Sequence, residues 1–202
     1  FKLLPNNVGG ILISWAIVLV ASLVSYRRGG GTLDGLRAFV RERWRYIAAT
    51  EVIFLIALAG WAVFRSFDPD LVGTEKPMEF AFLNAILRSE TFPPHDPWLS
   101  GYAISYYYYG YVIIAMLTRL AATPPAVAFN VGIALLFALT VTGSFGVVYE
   151  LISRKRKEGE GRAIGFGLFG PLFVALAGNL EGLLDALHSR GIGSAAFWKW
   201  AK

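Results

Sequence analysis

Between Asp68 and Gly101 the chain reads DPDLVGTEKPMEFAFLNAILRSETFPPHDPWLSG, a polar stretch in which Asp68, Asp70, Glu75, Glu79, His95 and Asp96 stand near Lys76. Carboxylates so grouped can take the proton of an attacking hydroxyl, or hold a divalent cation against a phosphate. A lysine among them can neutralise a departing phosphate. The densest spot is GTEKPMEF: Gly73 is flexible, Thr74 is a candidate cap, and Pro77 starts a helix whose first turn holds Glu79. Glu75 and Glu79 bracket that helix start. Glu75 and Glu79 are therefore candidate carboxylates for such chemistry, with Lys76 between them as a candidate substrate contact. Acids at a helix N-terminus also complement the helix dipole with no chemistry involved, and that reading stands beside the catalytic one.

PPHDPW is a rigid extended turn, because a residue preceding proline is pushed out of the helical region. It holds His95 and Asp96 as further candidate substrate contacts. The chain has two histidines, His95 and His188, no cysteine and no HExxH spacing, so a histidine or thiolate zinc site is not expected. The metal remains unknown, with a divalent cation on carboxylates compatible with the loop. Glu181, Asp185 and His188 recur at i, i+4 and i+7, roughly one helix face, where solvation at a helix end is as good an account as chemistry.

The elements that must position these groups are apolar. Of 202 residues, 55% are hydrophobic and 16% charged, a balance that indicates an all-α polytopic membrane protein. Four spanning helices are expected, at 8–26, 47–67, 127–153 and 163–187. An amphipathic helix at 33–46 carries Leu33, Leu36, Val40 and Trp44 on one stripe and Arg37, Arg41 and Arg45 on another, as for a helix lying in the headgroup plane. Within the loop 68–101 a short helix is expected at 78–89, and after it comes a helix at 102–122, interfacial or spanning. The whole, 1–202, reads as one membrane domain, and because it begins at Phe1 and not Met it is expected to be a fragment of a longer chain. GRAIGFGLFG reads as a small-residue packing seam.

The net charge of +5 reflects two basic clusters between apolar runs, Arg27 to Arg45 and RKRKEGEGR at 154–162, and points to topology and not to nucleic acid. Basic loops stay inside, which puts loop 68–101 on the extracytoplasmic side of the plasma membrane. Both clusters are inside only if either 102–122 or 127–153 does not cross, and the tyrosine-rich segment is the better candidate. SYYYYG, Ser105 to Gly110, then lies at the membrane surface. Successive helical residues turn by about 100°, so the four tyrosines point to different faces. Tyr107 or Tyr108 is expected to face Glu75 and to contact substrate.

TEKPMEFAFLNAILRS, FPPHDPW and SGYAISYYYYG, in this order, resemble the integral-membrane "YYY" family of archaea and Chloroflexi-type bacteria, named for a YYYxG motif; NLEG and FWKW resemble further stretches of it. Glu79 stands where the family pattern usually has Asp. That family is similar to the GT-C glycosyltransferases, polytopic enzymes that take sugars from polyprenyl-phosphate donors. The resemblance implies a GT-C-like N-terminal portion, a catalytic carboxylate in the first outer loop, a role it carries to Asp70, Glu75 and Glu79, and membrane lipid with a lipid-linked sugar donor as partners. Two other readings stand beside it: a non-catalytic membrane subunit that docks other membrane proteins, and a lipid or solute transporter. The last requires ionisable groups at mid-membrane, whereas the charges here cluster in loops and at helix ends.

Overall fold

The computed structural model describes residues 4–155, 160–179, 184 and 187–201. Glu181 and Asp185 lie outside them. Among the described residues every regular element is helical, and three helices are long and apolar enough to cross a membrane: α1 (Val8–Arg28), α3 (Trp44–Ser66) and α6 (Pro125–Lys155, apolar over Pro125–Ser153). At 1.5 Å per residue, the 21 residues of α1 and the 23 of α3 extend about 30–35 Å, the thickness of a hydrocarbon core. Leu19 and Ile56 are each 68% exposed, so these helices present bare apolar faces that suit lipid and not water. The protein is an all-α membrane protein.

The described chain forms two compact units: Phe1–Glu42 with Ala59–Leu135, and Arg43–Leu58 with Leu136–Lys202. In the first, α1 begins at Asn7, whose extended backbone and side chain, accepting from the Gly10 N–H at 2.9 Å, cap the helix. It ends on Arg27 and Arg28, cations at the negative end of the dipole. The amphipathic helix α2 (Leu33–Glu42) stops earlier than the periodicity suggests.

The core of this unit is made by two short helices, α4 (Lys76–Arg88) and α5 (Tyr109–Leu120). Phe82, Leu83, Ala85 and Ile86 of α4 close on Val112 and Ala115 of α5, with Phe129 of α6 and Ile104 completing the cluster. Both helices are parallel neighbours. Tyr111 meets Glu79 near their starts, and Arg119 Nη2 donates to the Leu87 carbonyl at 2.6 Å near their ends. The segment 89–108 must therefore return the length of α4, about 20 Å. The buried Asn6 holds the near end of that return: its Nδ2 donates to the Ile86 and Ser89 carbonyls at 2.7 and 2.8 Å, and its backbone N–H to Glu90 at 2.8 Å.

The expected helix 102–122 is corrected here: it begins only at Tyr109. Upstream, Asp96 N–H donates to the Tyr102 carbonyl (2.9 Å) and Ile104 N–H to the Pro94 carbonyl (3.1 Å), a short antiparallel pairing around His95 and Ala103. Burying Ile104 in the core holds this extended path, and aromatic residues in series supply little helix propensity against it. The prolines at 93, 94 and 97 cannot donate, which keeps the pairing short. With 12 residues α5 is about 18 Å long, too short to cross a hydrocarbon core of about 30 Å.

In the second unit the start of α3 packs on the end of α6. Tyr46 stacks on Tyr149 with centroids 4.2 Å apart, and Arg43 Nη1 reaches Glu150 Oε1 at 3.5 Å. Trp44, Arg45 and Tyr46 thus belong to α3, and not to an amphipathic helix extending to 46, because packing on α6 holds Tyr46. The helix α7 (Glu160–Gly167) runs on through Phe169–Pro171 into a wider turn at Leu172–Leu176. Gly170 lies against the Ser144 carbonyl and Gly167 against the Phe145 ring, where a Cβ would come within 2.7 Å. These glycines, with buried Ala163, form the expected seam against α6. Of the expected span 163–187, the described apolar helix covers Gly161–Leu176.

Candidate functional site

The acidic turn before α4 is shaped by backbone. Gly73 (φ +80°) and Thr74 (φ +50°) both take left-handed conformations, so Thr74 does not cap, and Glu75 becomes the N-cap residue without a side-chain bond to the helix. Pro77 fits the first turn because it has no N–H to lose. The Glu79 N–H donates to the Glu75 carbonyl at 2.9 Å, which fixes the carboxylate of Glu79 one turn into the helix. Asp70 and Glu75 are exposed, while Lys76 and Glu79 are half-buried.

The partner of that carboxylate is Tyr111, whose hydroxyl donates to Glu79 Oε1 at 3.2 Å. Burial, then the charge of Glu79 and this bond to it, with smaller contributions from Tyr106 and Glu75, push the Tyr111 phenol up to about 12. It stays a protonated donor at any physiological pH. One oxygen of Glu79 is thereby held, and the other keeps its acceptor capacity.

The second patch surrounds PPHDPW. Asp96 Oδ1 accepts the Trp98 and Leu99 N–H groups, both at 2.8 Å, so this carboxylate shapes the turn. Arg88, Ser89, His95, Asp96, Trp98 and Ser100 line a cavity of about 290 Å³. Its walls offer hydroxyls, an imidazole, a guanidinium and an indole, the mixture that suits a polyhydroxylated ring. Phe82 connects the two patches: its ring lies 5.4 Å from Trp98, 5.5 Å from Tyr106 and 5.9 Å from Tyr111.

The structure thus joins Glu79 to an aromatic wall and joins His95 to Asp96 in one cavity. Among the described residues no group of three or more His, Asp or Glu side chains is arranged to hold a metal ion. Tyr107 is 90% exposed and touches the Tyr106 ring, whereas Tyr108 precedes α5 and packs against the core. The phenol that meets a loop carboxylate is Tyr111. It escaped the motif because it lies beyond the tyrosine run, yet a signal existed: Tyr108, Tyr111, Val112, Ala115 and Thr118 recur at three- and four-residue spacing, the face packed on α4. Arg88 and Trp98 were also missed as cavity walls. In the second unit the His188 ring lies 4.8 Å from that of Trp198.

A family model described as "Uncharacterized membrane protein (DUF2298)" matches residues 1–202. No curated protein and no solved structure matches.

Proposed function

Because the chain belongs to that family of membrane proteins, we propose that it is a GT-C-like glycosyltransferase acting where a lipid-borne phosphate meets water. The observation that carries this reading is the Glu79 carboxylate held by Tyr111, on two helices too short to cross a bilayer. A carboxylate at that depth can serve a donor whose phosphate sits among headgroups and an acceptor arriving from solvent. In the proposed step Glu79 takes the proton of the acceptor hydroxyl and the acceptor oxygen bonds to the anomeric carbon. The bond from that carbon to the phosphate oxygen breaks, with its electron pair leaving on the polyprenyl phosphate. Lys76, on the same turn, neutralises the departing phosphate, and the cavity at Trp98 and His95 receives a sugar ring. Glu75 and Asp70, both exposed, serve as secondary acids; were a divalent cation bound in this loop, these carboxylates would hold it and it would supply positive charge for the phosphate.

The site belongs on the extracytoplasmic face of the plasma membrane in this reading. Asn6 at the start of α1 is bonded to the end of α4, and Arg65 at the end of α3 to Asn130 near the start of α6, two contacts that support putting these ends on one side. Arg27 and Arg28 close the opposite end of α1, as expected of a cytoplasmic end.

Turnover of a polyprenyl-phosphate sugar by the full-length protein in proteoliposomes tests the reading. Glu79→Gln is expected to lower the rate by about 100-fold or more, the usual weight of a general base, and Glu75→Gln by less. Wild-type turnover in Glu79→Gln removes the proposed base. No turnover by the wild type with any polyprenyl-phosphate sugar favours the non-catalytic subunit.

A further inference from the structure

Elsewhere in the first unit, the last turn of α3 and the first turns of α6 enclose a separate cavity of about 330 Å³. Ala62, Pro69, Ala126 and Val127 make its walls, with Arg65 and Asn130 as their main polar members. Asn130 has no capacity to spare: its Oδ1 accepts Nε and Nη2 of Arg65 at 3.1 and 2.5 Å, and its Nδ2 donates to the Pro69 and Ala126 carbonyls, each at 3.1 Å. The nearby Ser66 hydroxyl is committed to the Val63 carbonyl at 2.6 Å.

Arg65 is different. A guanidinium has five N–H donors, and Asn130 uses two of them. Among the described residues no carboxylate lies within ion-pair distance of Arg65. Asn130 also fixes the plane of the guanidinium, so the remaining donors are presented with little entropy left to lose. Because Arg65 is the penultimate residue of a 23-residue apolar helix, its charge lies at headgroup depth. The first turn of α6, led by Pro125, adds the positive end of a 31-residue helix beside the same cavity.

We propose that this cavity binds an anionic glycerophospholipid, its phosphate on Arg65 and the start of one acyl chain along Ala62, Val127 and Val131. The site is independent of sugar transfer, and uses none of the residues given a part in it. Charge complementarity selects the headgroup, since an oriented cation with no carboxylate beside it among the described residues calls for an anion. The apolar walls select a lipid over a free anion.

Native mass spectrometry of the full chain in detergent, titrated with phosphatidylglycerol, tests the proposal. One retained lipid is expected, with Arg65→Gln weakening it by roughly ten-fold, as for loss of a charge-assisted hydrogen bond. Val127→Trp should weaken it similarly by filling the groove; this residue is half-exposed, so folding is preserved even if Arg65→Gln is not tolerated. Wild-type affinity in Val127→Trp overturns the proposal. So does equal retention of diacylglycerol, which would make the site a plain apolar groove, or displacement of the lipid by inorganic phosphate alone at comparable concentration, which would make it an anion site.

Discussion

The Tyr111 hydroxyl donates to Glu79 Oε1 across 3.2 Å, tying the first turn of α5 to the first turn of α4. This bond and the Arg119 to Leu87 bond at the other end set the two helices side by side and parallel. The candidate carboxylate is thus positioned by the packing of two helices, through a contact between residues 32 apart in sequence.

Tyrosine titration reads this contact directly. Tyr111 has its phenol pushed from the ordinary 10.0 up to about 12, so the folded state holds that proton more firmly than the unfolded chain. The stability it contributes is fully present below pH 10 and is lost as pH rises towards 12. An ultraviolet titration of the nine tyrosines should lose a late component in Tyr111→Phe and have that component shifted to lower pH in Glu79→Gln.

Asp96 offers a way to separate shape from chemistry. Its Oδ1 accepts two backbone N–H groups, a task that an asparagine oxygen performs as well. Asp96→Asn should leave thermal stability and any sugar transfer near wild type. Asp96→Ala should cost about 1 kcal/mol, the worth of a lost turn or cap bond. A large loss of transfer in Asp96→Asn, at unchanged stability, would give this carboxylate a chemical part.

The seam against α6 admits no side chain at Gly170, in the segment that continues α7, where a Cβ would collide with the Ser144 carbonyl. Gly170→Ala is expected to destabilise by about 1–3 kcal/mol, as overpacking does. Gly165→Ala has open space around its Cβ and should be neutral. Thermal unfolding of both variants in detergent checks the contrast.

Asn6 should anchor the end of α4. Asn6→Ala removes two buried hydrogen bonds to carbonyls, an expected cost of about 2 kcal/mol. Amide exchange should quicken at Ser89 and Glu90 and stay slow at Val112, whose bond lies within the start of α5.

The absence of cysteine makes sidedness measurable with single introduced thiols. Ser100→Cys, exposed beside the candidate site, should react with a membrane-impermeant maleimide in intact cells. Gly30→Cys, beyond the end of α1, should react only after lysis. The reverse pattern would put the site on the cytoplasmic face.

Much of the architecture was legible in the residues alone. Uncharged runs of the right length announced α1, α3 and α6 as spans, because a bilayer tolerates few other ways to satisfy a backbone. Pro77 announced the start of α4, and the helix expected at 78–89 came within two residues at its start and one at its end. The small residues of GRAIGFGLFG announced their seam. Only the tertiary structure decided what became of the tyrosine run, where burial of Ile104 and pairing with Pro94 and Asp96 overrode a helical reading. It likewise decided that Tyr111 meets Glu79, and that Arg65 is gripped by Asn130. The division has one physical cause. Length, hydropathy and capping act within a few residues and can be read along the chain, whereas which side chains meet depends on the register of helices distant in sequence, which packing alone selects.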